Sequence, residues 1–320
     1  MPNYRFHLGP GESCREIQNH DGSEPACASP LAAPDGLESW RSRCRYGQGR
    51  YALAVEVRSL GYRTDLMVRR LEGSLVEDHG DYLVVRSPDN PTYWWGNFLL
   101  LAAPPQPGDA EMWVAMFAAE FPDAAHVTIG IDVTEVSAVH VSELTAERLR
   151  LQQSAVMTAQ QVHQPPRPNR EAVIRKLSGD EDWRQAADLR AVVNAGEPAS
   201  DPAFLRARIA AERRISDAGH GSWFGAFLDR TLVAQLGLVT DASGIARFQN
   251  VETHPAARRQ GLAGTLVWHA GRHGLAELGA GTLVMVADPH DVAIRVYRSV
   301  GFTEAEAQLG FERQPSQDGG

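Results

Sequence analysis

Cysteine is scarce in this chain of 320 residues, and Cys14, Cys27 and Cys44 all fall in the first fifty. Neither a disulfide framework nor a zinc ligand set emerges from that spacing. Long apolar runs are missing too. The longest candidate, Phe98 to Ala103, is far short of the roughly 20 residues a membrane-crossing helix needs. The opening stretch MPNYRFHLGPGESC has no apolar core of a secretory signal, which gives the expectation of a cytoplasmic protein with no membrane partner. Basic charge is in deficit, with 31 Lys and Arg against 40 Asp and Glu and a net charge of -9. Such a balance argues against a nucleic-acid binder, which needs a basic face to neutralise phosphates. What remains is an ordinary globular composition, 43% hydrophobic and 22% charged, in a chain long enough for two domains.

Residues 1–60 mix Gly, Pro, Ser and charge without sustained periodicity, apart from a short alternation at Tyr51 to Val57, and are expected to form a disordered extension. A first α/β domain is expected over 61–163. It contains an amphipathic stretch at Leu66 to Leu71, strands at Tyr82 to Arg86, Gly96 to Leu101 and His126 to Asp132, and a helix at Ala110 to Phe121. A helix at Ser142 to Leu149 and a strand at Ser154 to Val162 complete it. The segment 164–170 holds three prolines, which remove backbone donors and fix φ, and reads as a linker.

Residues 171–314 then give a strand at Ala172 to Leu177, a helix capped by Asp180 or Asp182 and reaching Val193, and a second helix at Ala203 to Ile215. Strands follow at Ser222 to Leu228 and Leu232 to Thr240, joined by a hairpin through Asp229, Arg230 and Thr231, and then at Ala246 to Thr253. A helix at Gly261 to Leu278, a strand at Thr282 to Ala287, a helix at Val292 to Val300 and a strand near Ala307 to Arg313 close the pattern. Residues 315–320 read as a flexible tail. The pattern is that of an α+β protein of two domains with mixed sheets.

The informative stretch is Val251-Glu-Thr-His-Pro-Ala-Ala-Arg-Arg-Gln-Gly-Leu-Ala-Gly-Thr265, which joins a strand to a helix through a basic turn. Backbone amides at a helix N-terminus lack intrahelical acceptors and carry partial positive charge, so they suit a pyrophosphate. Small residues at Gly261 and Ala263 let phosphates approach those amides, and Arg258 and Arg259 add attraction.

The spacing Arg258-x-x-Gly261-x-Ala263 resembles the acyl-CoA pyrophosphate motif of the Gcn5-related N-acetyltransferases (GNAT), Arg/Gln-x-x-Gly-x-Gly/Ala. A second stretch, Asp288 to Phe302, is similar to that family's Asn-x-x-Ala-x-x-x-Tyr-x-x-x-Gly-Phe, with Ala293, Tyr297, Gly301 and Phe302 matching and His290 in the place of Asn. The resemblance implies a GNAT-like mixed, mainly antiparallel central sheet flanked by helices. It also implies acetyl-CoA as cosubstrate without a metal, and a small-molecule or peptide amine as acceptor, in a monomer or homodimer. Cofactor contacts are then expected from Val251, Thr253, Arg258, Arg259, Gln260, Gly261, Leu262, Ala263, Gly264, His290 and Ala293. Pantetheine would slot between two splayed strands, with an oxyanion held by an amide near Val251.

By the same resemblance Tyr297 is the acid beside the departing sulfur; the plainer alternative is a ring packed against the sheet. Glu252 is a base acting through water, or a solvated strand carboxylate; His254 is a second base candidate, or a loop residue before Pro255. His269 and His273 lie one helical turn apart but have no further ligand suggested, so they read as chance placement. Trp94 and Trp95 read as core packing at a strand edge. Residues 62–162 vaguely repeat the later element order, which suggests a tandem arrangement with a degenerate first copy. No pyrophosphate turn of the Arg258 kind occurs there.

Overall fold

The computed structural model describes residues 55–195 and 201–314. The expected disorder of residues 1–54 and the expected tail 315–320 lie outside the described residues. Residues 55–59, assigned to the extension by composition, are tied down: Val55 donates its N–H to Asp78 (2.7 Å), and Arg58 and Ser59 donate theirs to the Asp132 carboxylate (2.8 and 2.9 Å).

In chain order the first half runs α1 (Leu60–Leu71), β1 (Leu75–Asp78), β2 (Tyr82–Arg86), β3 (Phe98–Leu101), α2 (Ala110–Glu120), β4 (Val127–Ile131), α3 (Ala138–Ala146) and β5 (Arg150–Ala159). The second half runs β6 (Val173–Lys176), α4 (Gly179–Val193), α5 (Pro202–Asp217), β7 (Gly221–Leu228), β8 (Thr231–Thr240), β9 (Ile245–Thr253), α6 (Leu262–Ala276), β10 (Thr282–Ala287), α7 (Ala293–Val300) and β11 (Thr303–Arg313). From α1 and from α5 onward the order is the same: helix, three strands, helix, strand, helix, strand.

Local chemistry explains most boundaries. Ser59 accepts the Tyr62 N–H to start α1, and Asp201 accepts the Phe204 N–H (2.7 Å) to start α5, with Pro202 pre-set at the first helical position. At α4 the cap is Ser178 rather than Asp180 or Asp182. The Asp182 carboxylate instead accepts the Ser178 N–H (2.7 Å) from inside the first turn and is paired with Arg175. Asp229 and Arg230 both have positive φ (46° and 68°), the backbone pattern of a tight two-residue hairpin between β7 and β8. The short edge strand β1 escapes sequence reading because it is four residues long and mostly exposed, with Val76 packed against the core, so no in–out alternation marks it.

All eleven strands form one sheet, in the order β1-β2-β3-β4-β11-β5-β10-β9-β8-β7-β6. Most neighbours are antiparallel; β3 with β4 and β9 with β10 are parallel. The centre of the sheet is an exchange of terminal strands. β11, the last strand of the second half, pairs with β4 from Leu309↔Ile131 to Arg313↔Val127, while β5, the last strand of the first half, pairs with β10 from Leu283↔Ala159 to Ala287↔Ala155. The two exchanged strands also pair with each other along their lengths, Thr303↔Thr158 to Glu312↔Arg150. Leu309 and Phe311 of β11 therefore sit in the apolar cluster under α2 and α3, and Met157 and Ala159 of β5 in the cluster under α6. Each half contributes a strand to the apolar cluster of the other, and the halves are joined through the middle of one sheet.

A chain of buried ion pairs strengthens the junction. Arg69 of α1 meets Glu72, Glu72 meets Arg208 of α5 (2.6 Å), and Arg247 of β9 meets Asp65 of α1 (3.0 Å). Trp95 covers Gly310 of β11, where a methyl group would overlap its ring, and Trp94 stacks on His126. Both tryptophans are packing residues in these contacts.

Candidate cofactor and active site

The parallel pair β9 and β10 is joined only from Thr282↔Ile245 to Val284↔Arg247. Beyond Arg247 the strands part: β10 continues alongside β5, and β9 runs on to Thr253 beside β8. A register shift between Gln235 and Gly237, opposite a left-handed Asn250 (φ 48°), bends β9 away at that point. The result is a wedge whose two facing strand edges are not paired with each other.

The turn after β9 closes one end. His254 accepts the Ala256 N–H (3.2 Å) and starts a short 3-10 turn, Pro255–Ala257. Arg259 and Gly261 take positive φ (64° and 77°), and α6 begins at Leu262. The first backbone bond of that helix runs from Thr265 N–H to the Gly261 carbonyl (3.1 Å), so the amides of Leu262, Ala263 and Gly264 have no intrahelical acceptor.

A cavity of about 670 Å³ connects wedge and turn. It is lined by Val251, Glu252, Thr253, Arg258, Arg259, Gly261, Leu262, Ala263, Gly264, Ala293 and Tyr297 among others. The structure thus brings eleven of the thirteen expected site residues to one cleft. Gln260 and His290 do not line it. Gln260 is exposed with its amide toward the Ala256 carbonyl (3.5 Å), and His290 is exposed with its N–H donated to Asp288 (2.8 Å).

Tyr297, on α7, is 1% exposed. Burial, helped by the negative charge of Asp291, raises its phenol above the ordinary value, so it holds its proton across the neutral range. Glu252 is also buried, but not solvated. Arg190 of α4 donates to both of its oxygens (3.1 and 3.3 Å), and Gln235 of β8 donates to Oε2 (2.6 Å). The same Arg190 holds Glu212 of α5 (2.7 Å), which also accepts from Asn250 (2.5 Å). Burial acts to lower the Arg190 pKa, yet the two carboxylates outweigh it and hold the guanidinium charged.

Three guanidiniums on the cleft, those of Arg167, Arg259 and Arg295, make no hydrogen bond or ion pair among the described residues; Arg258 donates Nε to the Thr253 carbonyl (3.3 Å). In an acidic protein, four arginines around one cavity beside helix amides that lack intrahelical acceptors are chemistry that suits a polyanion.

Residues 186–302 match the family model described as the acetyltransferase (GNAT) family. A GNAT-family domain therefore lies at residues 186–302. Solved structures of similar fold include a GCN5-related N-acetyltransferase from Kribbella flavida, at 15% identity over 82% of this chain and 97% of that one, with a TM-score of 0.57. A tandem GNAT protein from the clavulanic acid biosynthesis pathway is similar over 90% of this chain and 98% of that one, at 13% identity and a TM-score of 0.52. A GCN5-related N-acetyltransferase from Sphaerobacter thermophilus aligns over 73% and 80% of the two chains, at 17% identity and a TM-score of 0.51. No curated protein matches the sequence.

The first half repeats the element order of the second without its cleft. Its parallel pair stays joined to the strand ends, Leu101↔Ile131, so no wedge opens. The connection from β3 to α2 carries Pro104, Pro105 and Pro107, which have no amide hydrogens to offer an anion. In the GNAT domain itself, sequence reasoning missed Arg190, Gln235 and Arg295, and also Pro165, Pro166 and Arg167 of the linker, which line the cleft. Arg190 and Gln235 lie on different elements from Glu252; the β8–β9 register sets Gln235 opposite it, and α4 brings Arg190 over it. His273, considered above for a metal, is engaged by Ser222 (3.2 Å) and Glu277 (2.9 Å), and His269 lies against Trp268. Among the described residues no helix is long and apolar enough to cross a membrane.

Proposed function

We propose that the protein is an N-acetyltransferase that transfers an acetyl group from acetyl-CoA to a primary amine by direct attack in a ternary complex. The observation that carries the reading is the joining, in one cavity, of the β9–β10 wedge, the free amides at the start of α6, unpartnered arginines and the buried Tyr297. Val251 and Thr253, with Ala293 across the wedge, are placed to hold a pantetheine arm. Arg258, Arg259 and the amides of Gly261 to Gly264 would hold the pyrophosphate.

Acetyl-CoA, when bound, supplies a thioester already activated toward nitrogen nucleophiles. The chain's own groups handle the rest. The amide near Val251 is positioned to stabilise negative charge developing on the acyl oxygen, and Tyr297 holds the proton that the sulfur leaving group needs. Glu252, held in place by Arg190 and Gln235, takes the amine proton through water.

The saturation of both Glu252 oxygens by Arg190 and Gln235 also favours a second reading, an acyl-CoA-binding sensor without turnover. Amine-dependent release of the CoA thiol across a panel of small amines and peptides separates the two. Turnover by the parent and its loss in Tyr297→Phe supports the transferase. Acetyl-CoA binding with no turnover on any amine supports the sensor.

A further inference from the structure

The linker between the halves is fastened to the cofactor turn. Asn169 donates its N–H to Thr265 Oγ1 (2.8 Å) and its side-chain amide to the Gln260 carbonyl (3.0 Å), while its Oδ1 accepts the N–H groups of Glu171 (3.0 Å) and Ala172 (2.8 Å). Buried Pro165 packs on the first turn of α6, where a methyl added at Gly264 would stand 3.1 Å from its Cβ. A methyl added at Gly261 would overlap the Arg167 carbonyl. Prolines at 165, 166 and 168 fix φ on both sides of Arg167, so this segment is held with little slack.

We infer that the linker is the third wall of the acyl-CoA site and that Arg167 binds the ribose 3′-phosphate of the cofactor. The inference rests on the acyl-CoA reading above. Pro165, Pro166 and Arg167 line the same cavity as the turn and Tyr297. The pyrophosphate is served by the α6 amides together with Arg258 and Arg259, which come from the turn itself. The phosphate left over is a monoester with nearly two negative charges and three acceptor oxygens. Arg167 offers it an exposed guanidinium fork with no partner among the described residues, on a backbone already fixed in place. Arg167 lies outside residues 186–302, so the family motif does not contain it. The linker would thereby make cofactor affinity depend on the joining of the two halves.

Calorimetric titration of the full chain with CoA and with 3′-dephospho-CoA tests this, using the parent, Arg167→Ala and Arg295→Ala. Arg167 is exposed, so its removal leaves the fold intact, and a thermal melt checks that. The parent is expected to prefer CoA, and Arg167→Ala to weaken CoA binding about tenfold while leaving dephospho-CoA unchanged. Equal weakening of both ligands, no weakening of either, or loss of the discrimination in Arg295→Ala but not in Arg167→Ala would overturn the assignment. A folded parent that binds neither ligand would sink the acyl-CoA reading itself, a result distinct from these.

Discussion

Replacing Arg190 with methionine tests whether the charges beneath the cleft are a structural unit. Arg190 is 6% exposed at its side chain and lies between Glu252 (9%) and Glu212 (2%). Without it, Glu252 keeps one donor from Gln235, and Glu212 keeps Asn250 and the more distant Arg208 (3.8 Å). Two buried carboxylates then share too little positive charge. Removing one partner of such a buried pair costs about 3–5 kcal/mol, because the other is left uncompensated. That is a large share of a stability of about 5–15 kcal/mol. Urea unfolding followed by tryptophan fluorescence would read the loss as a lower midpoint. Adding Glu252→Gln to Arg190→Met removes one stranded charge, so the double variant is expected to lose less than the sum of the singles, with a coupling of about 1–3 kcal/mol. An Arg190→Met protein within about 1 kcal/mol of the parent, or strictly additive singles, would refute the reasoning.

Gly261→Ala places a side chain at φ 77° and against the Arg167 carbonyl, so it is expected to cost about 2 kcal/mol in denaturant unfolding and to weaken acetyl-CoA binding; an unchanged protein would show that the linker is free to move. Tyr297→Phe keeps the ring and loses the hydroxyl, so turnover is expected to fall about 10²-fold or more with CoA binding unchanged. Because burial raises the Tyr297 pKa above 10.0, a pH–rate profile is expected to show no alkaline decline from this group below that pH. His126 is buried between Trp94 and Phe117, and burial lowers its pKa from 6.5 to about 4. The fold therefore favours the neutral ring. That stabilisation is full above pH 6.5 and is lost as pH falls through about 4, a change of about 3 kcal/mol that His126→Phe is expected to abolish in acid unfolding curves.

The turn from Arg258 to Ala263 was legible because its chemistry is contiguous: strand, basic turn, small residues and helix follow one another along the chain, and hydrophobic periodicity places the flanking elements. The exchange of β5 and β11 was not legible. Each strand reads as a sheet-forming segment by composition, but its partner is chosen by the fit of whole faces far apart in sequence, as Phe311↔Leu151 and Val286↔Val156 show. The setting of Glu252 was hidden for a related reason. A strand carboxylate reads as solvated until α4 and α5 bring Arg190 and Glu212 over it. Arg167 offered a still weaker signal, since a proline-rich segment looks like a spacer until Asn169 is seen to fasten it to Thr265 and Gln260.

We propose that the cleft of the second half binds acyl-CoA and that the first half, among its described residues, has no such site. Isothermal titration of the full chain with acetyl-CoA tests it most directly, beside an Arg258→Ala, Gly261→Glu variant whose folding has been verified. Micromolar binding of one acetyl-CoA per chain by the parent, and none by the variant, is the expected result. No binding by a well-folded parent, or binding that survives in the variant, would contradict it.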